Sequence, residues 1–209
     1  MKNLYPNDVK ALELYYRIAG IDEAGRGPLA GPVVVAAVEL DYSVFLEGIY
    51  DSKVLSYSKR ERLYSEIIAN ARSYSIVEIS ADEVDQINIL QATLKGMATT
   101  INSLQDFDGV CLIDGNKVPK GIQQRCVPIV KGDSTHACIA AASILAKVHR
   151  DRIMNELHLL YPIYGFDQNK GYGTNKHMQA LAINGPCPEH RKTYKPVTQR
   201  IIWETPSSE

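Results

Sequence analysis

Apolar residues fall along this chain in two rhythms. RIAGI (17–21) and PVVVAAVEL (32–40) are short apolar runs of the kind buried strands make, and SYSIVEIS (73–80) alternates like a half-buried strand. Between the second and third runs, Ser58 and Glu61 have capping-box spacing, which predicts a helix through about Asn70. Ile87, Leu90, Leu94, Met97, Ile101 and Leu104 recur at three- and four-residue steps and predict a longer helix with one face on a core. Two short strands follow, GVCLI (109–113) and RCVPIV (125–130), then an Ala-rich helix from about Ser134 to Leu160. Through Ala146 that helix is apolar on nearly all sides, so it is expected to be buried. Beyond 161 the chain is rich in Gly, Pro and Tyr, with one short helix around Lys176–Ile183. Three strands, then strands mixed with helices, predict an α/β fold with a mixed sheet covered by helices. Residues 161–209 are expected to cap a 1–160 core within one structural unit.

Composition narrows the class. A chain of 209 residues, 45% hydrophobic and 22% charged, fits one globular domain with a sizeable core rather than a disordered segment. The net charge of -1 says nothing of nucleic acid, but its distribution is uneven: residues 78–108 hold six acids against Lys95, and residues 170–200 hold six Lys/Arg against Glu189. That asymmetry predicts a basic face near the C-terminus. Cys111, Cys126, Cys138 and Cys187 have no metal-ligand spacing, the first three sit in apolar runs, and a reduced, cytoplasmic setting is expected. The first residues hold no signal-like apolar segment, and PVVVAAV is too short to span a bilayer, so a soluble protein is expected.

The chemistry concentrates in GIDEAGRG (20–27), where a strand-like run ends in two adjacent carboxylates and then an arginine between glycines. Asp22 and Glu23 close the first strand, Asp114 follows GVCLI, and Asp133 opens the buried helix. Acids at strand ends can converge at one edge of a sheet, where their repulsion calls for a hard divalent cation. Oxygen ligands favour Mg²⁺ or Mn²⁺ over zinc. Each acid also has a plainer reading: Asp133 as a helix N-cap, Asp114 as a turn residue before Gly115-Asn116. Asp22, inside an apolar strand, needs a partner. The five histidines show no ligand or triad spacing, and Gly-Arg-Gly lacks the Gly-Lys-Ser/Thr of a nucleotide-binding loop.

AGIDEAGRGPLAGPVVVAAV, DSKVLS, LIDGN, VKGDSTHACIAAASILAKVHRD, KGYGT and HRKTYKPV, in this order over residues 17 to 198, resemble bacterial ribonuclease HII, the type 2 ribonuclease H. The resemblance implies a ribonuclease H-like fold, with a five-stranded mixed sheet and a small C-terminal helical cap. It implies cleavage of the RNA strand of RNA/DNA hybrids and incision 5′ to single ribonucleotides in duplex DNA, as in ribonucleotide excision repair. It also implies Asp22, Glu23, Asp114 and Asp133 as metal-binding, catalytic acids. Two metals about 4 Å apart can activate water and stabilise the leaving oxygen, giving 3′-hydroxyl and 5′-phosphate ends. Adjacent strand side chains face opposite ways, so Glu23 is expected to serve from the end of the strand, through its side chain or its backbone carbonyl.

Gly25 and Gly27 let the main chain approach a nucleotide, where N–H and C=O groups can engage a ribose 2′-hydroxyl, and Arg26 can meet a phosphate. Tyr172 either packs the cap or, as the resemblance suggests, stacks on the sugar past the ribonucleotide. Lys53, Lys147, Lys170, Lys176 and Arg191 are candidate phosphate contacts, with Lys147 alternatively supporting the acids. Val54 replaces the second lysine of many relatives. Asp133 as fourth acid, with no long extension before the core, fits type HII better than HIII. The C-terminal QRIIWETPSSE lacks the paired aromatics of a clamp-binding peptide. No obligate protein partner is evident, and a monomer is expected. Two competing classes are a non-catalytic hybrid-binding module, which has no need of four acids, and a metal-dependent DNA nuclease or resolvase, which has no need of Gly-Arg-Gly with Tyr172.

Overall fold

The structure is a computed structural model that describes residues 3–50 and 52–201. The end of the QRIIWETPSSE stretch, from 202 onward, lies outside the described residues. Five strands form one sheet: β1 (Ile18–Ala24), β2 (Val33–Leu40), β3 (Ala71–Ile79), β4 (Val110–Asp114) and β5 (Cys126–Ile129). Their order is β3-β2-β1-β4-β5. Strand β1 runs antiparallel to β2 and parallel to β4, and β4 runs parallel to β5, so the sheet is mixed as expected. Every residue of β2 is buried, as its unbroken Val/Ala run requires.

The helices are α1 (Tyr5–Tyr15), α2 (Tyr57–Asn70), α3 (Ala81–Asn102), α4 (Ala137–Leu160), α5 (Phe166–Asn169), α6 (Asn175–Asn184) and α7 (Lys195–Ile201). Helix α2 begins two residues earlier than the capping box suggested, because the Ser56 hydroxyl accepts the Lys59 N–H. Helix α3 is not continuous: Asn88 has φ 65° and ψ 162°, and its side-chain oxygen accepts the N–H groups of Leu90 and Gln91. Asn88 therefore caps a second helical segment inside the stretch read as one helix. Helix α4 is fully buried from Ala137 to Ala142, as its composition requires.

The chain forms two compact units. The first comprises Met1–Ala24, Val34–Glu78 and Thr93–Val148; the second comprises Gly25–Val33, Ile79–Ala92 and His149–Glu209. The Gly-Arg-Gly loop thus belongs with the C-terminal residues rather than with the strands on either side of it. Among the described residues no helix is long and apolar enough to cross a membrane.

Candidate active site

In the first unit, Gly20 lets β1 lie directly on the start of α4: a Cβ there would sit 2.1 Å from the Cys138 carbonyl carbon. Asp22, two residues on, is consequently buried, and its carboxylate accepts the Ser143 hydroxyl of α4 and the Glu23 N–H, the latter at 2.7 Å. The Ser143 Oγ is in turn 2.9 Å from the Ser52 Oγ. Burial, then the negative charges of Glu23 and Asp114, push the Asp22 carboxyl well above its ordinary range. Asp114 ends β4, and its Oδ1 accepts the Gly132 N–H at 2.7 Å. Burial and then the charge of Asp133 raise its carboxyl too.

Asp133 does not cap α4. It lies in a 3-10 turn, Gly132–Ser134, while the first N–H groups of the helix, Ala137 and Cys138, donate to the carboxylate of Asp8 on α1 at 3.1 and 2.8 Å. Released from capping, Asp133 is buried and accepts the Lys53 ammonium at 3.0 Å. Ligand oxygens of Asp22, Asp114 and Asp133 all lie within 4.8 Å of one another. Glu23 is not in that group, although it is near enough for its charge to raise Asp22. Lys147 is half-buried one helical turn from Ser143, on the face that meets Asp22. Three crowded carboxylates, two of them holding protons more tightly than usual, are the donor set of a divalent-cation site.

The second unit holds the other expected residues. Gly25 is buried at φ 95°, whereas Arg26 and Gly27 are exposed. A Cβ on Gly27 would lie 3.6 Å from the Tyr172 ring, itself 48% exposed. Arg191 is not a phosphate contact: it is buried, and its guanidinium donates to the carbonyls of Gly25 at 2.6 Å, Arg26 at 3.0 Å and Gly31 at 2.8 Å. Arg150, which the motif reading passed over, is buried as well and donates to the carbonyls of Pro32, Ala30 and Lys170. The Lys170 ammonium is bonded to Asn155 and to the Asp167 carbonyl. The expected basic face is partly neutralised within the unit, since Lys192 meets Asp82 and Asp85 accepts the Lys192 and Thr193 N–H groups. Exposed Val54 offers no second ammonium beside Lys53.

A mixed five-stranded sheet with an acid cluster in the last part of β1, at the end of β4 and just beyond β5 is the architecture of a ribonuclease H-fold nuclease. The sequence profile of the Ribonuclease HII family matches residues 19–205. Ribonuclease HII 1 of Methylibium petroleiphilum is 54% identical over 179 residues, covering 86% of this chain and 90% of that protein. Among solved structures, the ribonuclease H2 of Pyrococcus horikoshii has a TM-score of 0.76 at 26% identity, covering 88% of this chain and 96% of that one. Bst-RNase HIII, solved with Mn²⁺, shares the fold with a TM-score of 0.72 at 16% identity, over 90% of this chain and 70% of its own. The chain belongs to the Ribonuclease HII family and is an endoribonuclease acting on RNA/DNA hybrids.

Proposed function

We propose that this enzyme also incises duplex DNA on the 5′ side of a single embedded ribonucleotide, using two divalent ions held by Asp22, Asp114 and Asp133, with Glu23 contributing from the end of β1. The observation that carries the reaction class is the convergence of the three carboxylates within 4.8 Å. Bound Mg²⁺ or Mn²⁺ would supply an activated water and charge stabilisation for the leaving oxygen. The protein's own part is to hold the carboxylates in place: Gly132 fixes Asp114, Ser143 fixes Asp22, and Lys53 lies on Asp133 where it can also meet a phosphate.

The 2′-hydroxyl is the mark that distinguishes the target nucleotide, and Gly27 packed beside Tyr172 is the pairing that supports reading it. The hydroxyl is not the nucleophile in this reading. Such a mechanism needs a general base and acid at the reacting atoms, and the histidine pair His177 with His190 is buried with its ring nitrogens already bonded. The products therefore carry a 3′-hydroxyl and a 5′-phosphate.

A duplex containing one ribonucleotide, incubated with Mg²⁺, with Mn²⁺ and with EDTA, tests this. Incision 5′ to the ribonucleotide is expected with either metal and none with EDTA. A 2′,3′-cyclic phosphate end would overturn the chemistry, and equal cutting of an all-DNA duplex would overturn the recognition.

A further inference from the structure

Two consecutive residues, His190 and Arg191, reach opposite parts of the proposed ribose-reading surface, and neither side chain is exposed. The Cys187 N–H donates to His190 Nδ1 at 3.0 Å, so that nitrogen carries a lone pair and the proton of the neutral ring sits on Nε2. His190 Nε2 is 3.0 Å from His177 Nε2 and donates to it. His177 then carries its own proton on Nδ1, 2.9 Å from the Tyr172 carbonyl. These tautomers, assigned from the bonding partners, satisfy all four ring nitrogens with both rings neutral. Burial pushes both rings down, His190 to about 4 with His177 beside it as the second cause, which keeps the pair neutral at working pH. Tyr164 and Phe166 pack their rings against both histidines, adding no charge.

Arg191 works on the other part. Its bonds to the carbonyls of Gly25 and Arg26 turn those oxygens toward the guanidinium. In trans peptides the N–H groups of Arg26 and Gly27 then project to the opposite side. The main chain fastens the two parts as well, because Leu29 N–H donates to the Gly171 carbonyl and Arg191 N–H to the Leu29 carbonyl.

We propose that His190 and Arg191 are positioning residues for ribose recognition, His190 fixing the Tyr172 peptide through His177 and Arg191 fixing the Gly25 and Arg26 peptides. The proposal rests on the reading of Tyr172 and Gly-Arg-Gly as the ribose reader. Neither residue touches the substrate; together they hold the ring and the loop in one register.

Equilibrium binding of the full chain, in EDTA, to two duplexes that differ by a single 2′-hydroxyl gives a discrimination ratio. His177→Phe cannot donate to the Tyr172 carbonyl, and Arg191→Lys keeps the charge without the fork that spans several carbonyls. Both are expected to lower the ratio roughly tenfold, while His177→Asn, which keeps a donor near Nδ1, retains most of it. A general loss of folding would weaken both duplexes together and leave the ratio unchanged. A parent that does not discriminate, or a Tyr172→Ala variant that discriminates as well as the parent, overturns the ribose reading itself. If Tyr172→Ala lowers the ratio and His177→Phe and Arg191→Lys do not, the positioning role is wrong and the ribose reading stands. Should Arg191→Lys fail to fold, the histidine variants decide: equal ratios for His177→Phe and His177→Asn overturn the relay.

Discussion

Asp22 is a carboxylate held at 5% exposure beside two other acids, so its charge costs the metal-free fold free energy. Its folded pKa is raised, as is that of Asp114, which means the folded chain binds these protons more tightly than the unfolded chain. Stability from these groups is therefore present at low pH and is lost as pH rises through their raised values. Asp22→Asn is expected to raise the apo melting temperature at neutral pH by roughly 2–4 °C, the equivalent of about 1 kcal/mol in a chain this size. The gain should shrink as pH falls toward the ordinary carboxylate value of about 3.9. Mg²⁺ or Mn²⁺ should then stabilise the parent more than the variant, which loses cleavage. A variant that melts lower than the parent in EDTA, or still cuts at the parent's rate, would refute the assignment. The convergence of Asp22, Asp114 and Asp133 could be read from sequence, because carboxylates close to strand ends are informative in themselves. The roles of Arg150, Arg191 and the two histidines could not, because most of their partners are backbone carbonyls and amides. Every residue carries those groups, so sequence does not mark them.

The same distinction holds for the elements. All five strands and the buried helix α4 were legible: β1, β2, β4 and α4 carry their burial in apolar runs, β3 alternates, and β5 is a short apolar run although its residues stay partly exposed. The break at Asn88 was not, because apolar residues on both sides keep helical spacing while one residue turns the backbone. Helix α1 was also missed: Asp8 and Ala11 are its buried residues, whereas Val9 and Leu14 face solvent and leave almost no periodic signal. Its contribution is instead one side chain. Asp8 Oδ1 accepts Ala137 N–H, and Oδ2 accepts Cys138 N–H and the Tyr42 hydroxyl. Both oxygens are acceptors, so Asn would turn one of them into a donor facing donors. Asp8→Asn and Asp8→Ala are both expected to destabilise the fold by about 2–3 kcal/mol, a lost cap plus buried donors without acceptors. Urea unfolding measures this. A loss under about 0.5 kcal/mol in both variants would mean that α4 needs no cap from α1.

At the scale of the molecule, the proposed chemistry and the proposed recognition fall in different compact units. Asp22, Glu23, Lys53, Asp114, Asp133 and Lys147 belong to the first; Gly25, Arg26, Gly27, Tyr172, His177, His190 and Arg191 belong to the second. Each set is held by bonds within its own unit: Asp114 by Gly132 and Asp22 by Ser143 in one, Arg191 by Gly25 and His177 by Tyr172 in the other. Losses at the two sets should therefore separate. Asp114→Asn is expected to lower the cleavage rate by at least about 10³-fold, some 4 kcal/mol of barrier, while the preference for a ribonucleotide in binding survives. Tyr172→Ala should leave Mn²⁺ binding at the acids unchanged. It should reduce kcat/KM on the single-ribonucleotide duplex by roughly ten- to a hundredfold, the worth of one stacked ring. Mn²⁺ titration, duplex binding and steady-state cleavage on both variants give a two-by-two comparison. If Tyr172→Ala weakens Mn²⁺ binding, or Asp114→Asn abolishes ribonucleotide preference, the two sets are one energetic unit and this division of labour is wrong.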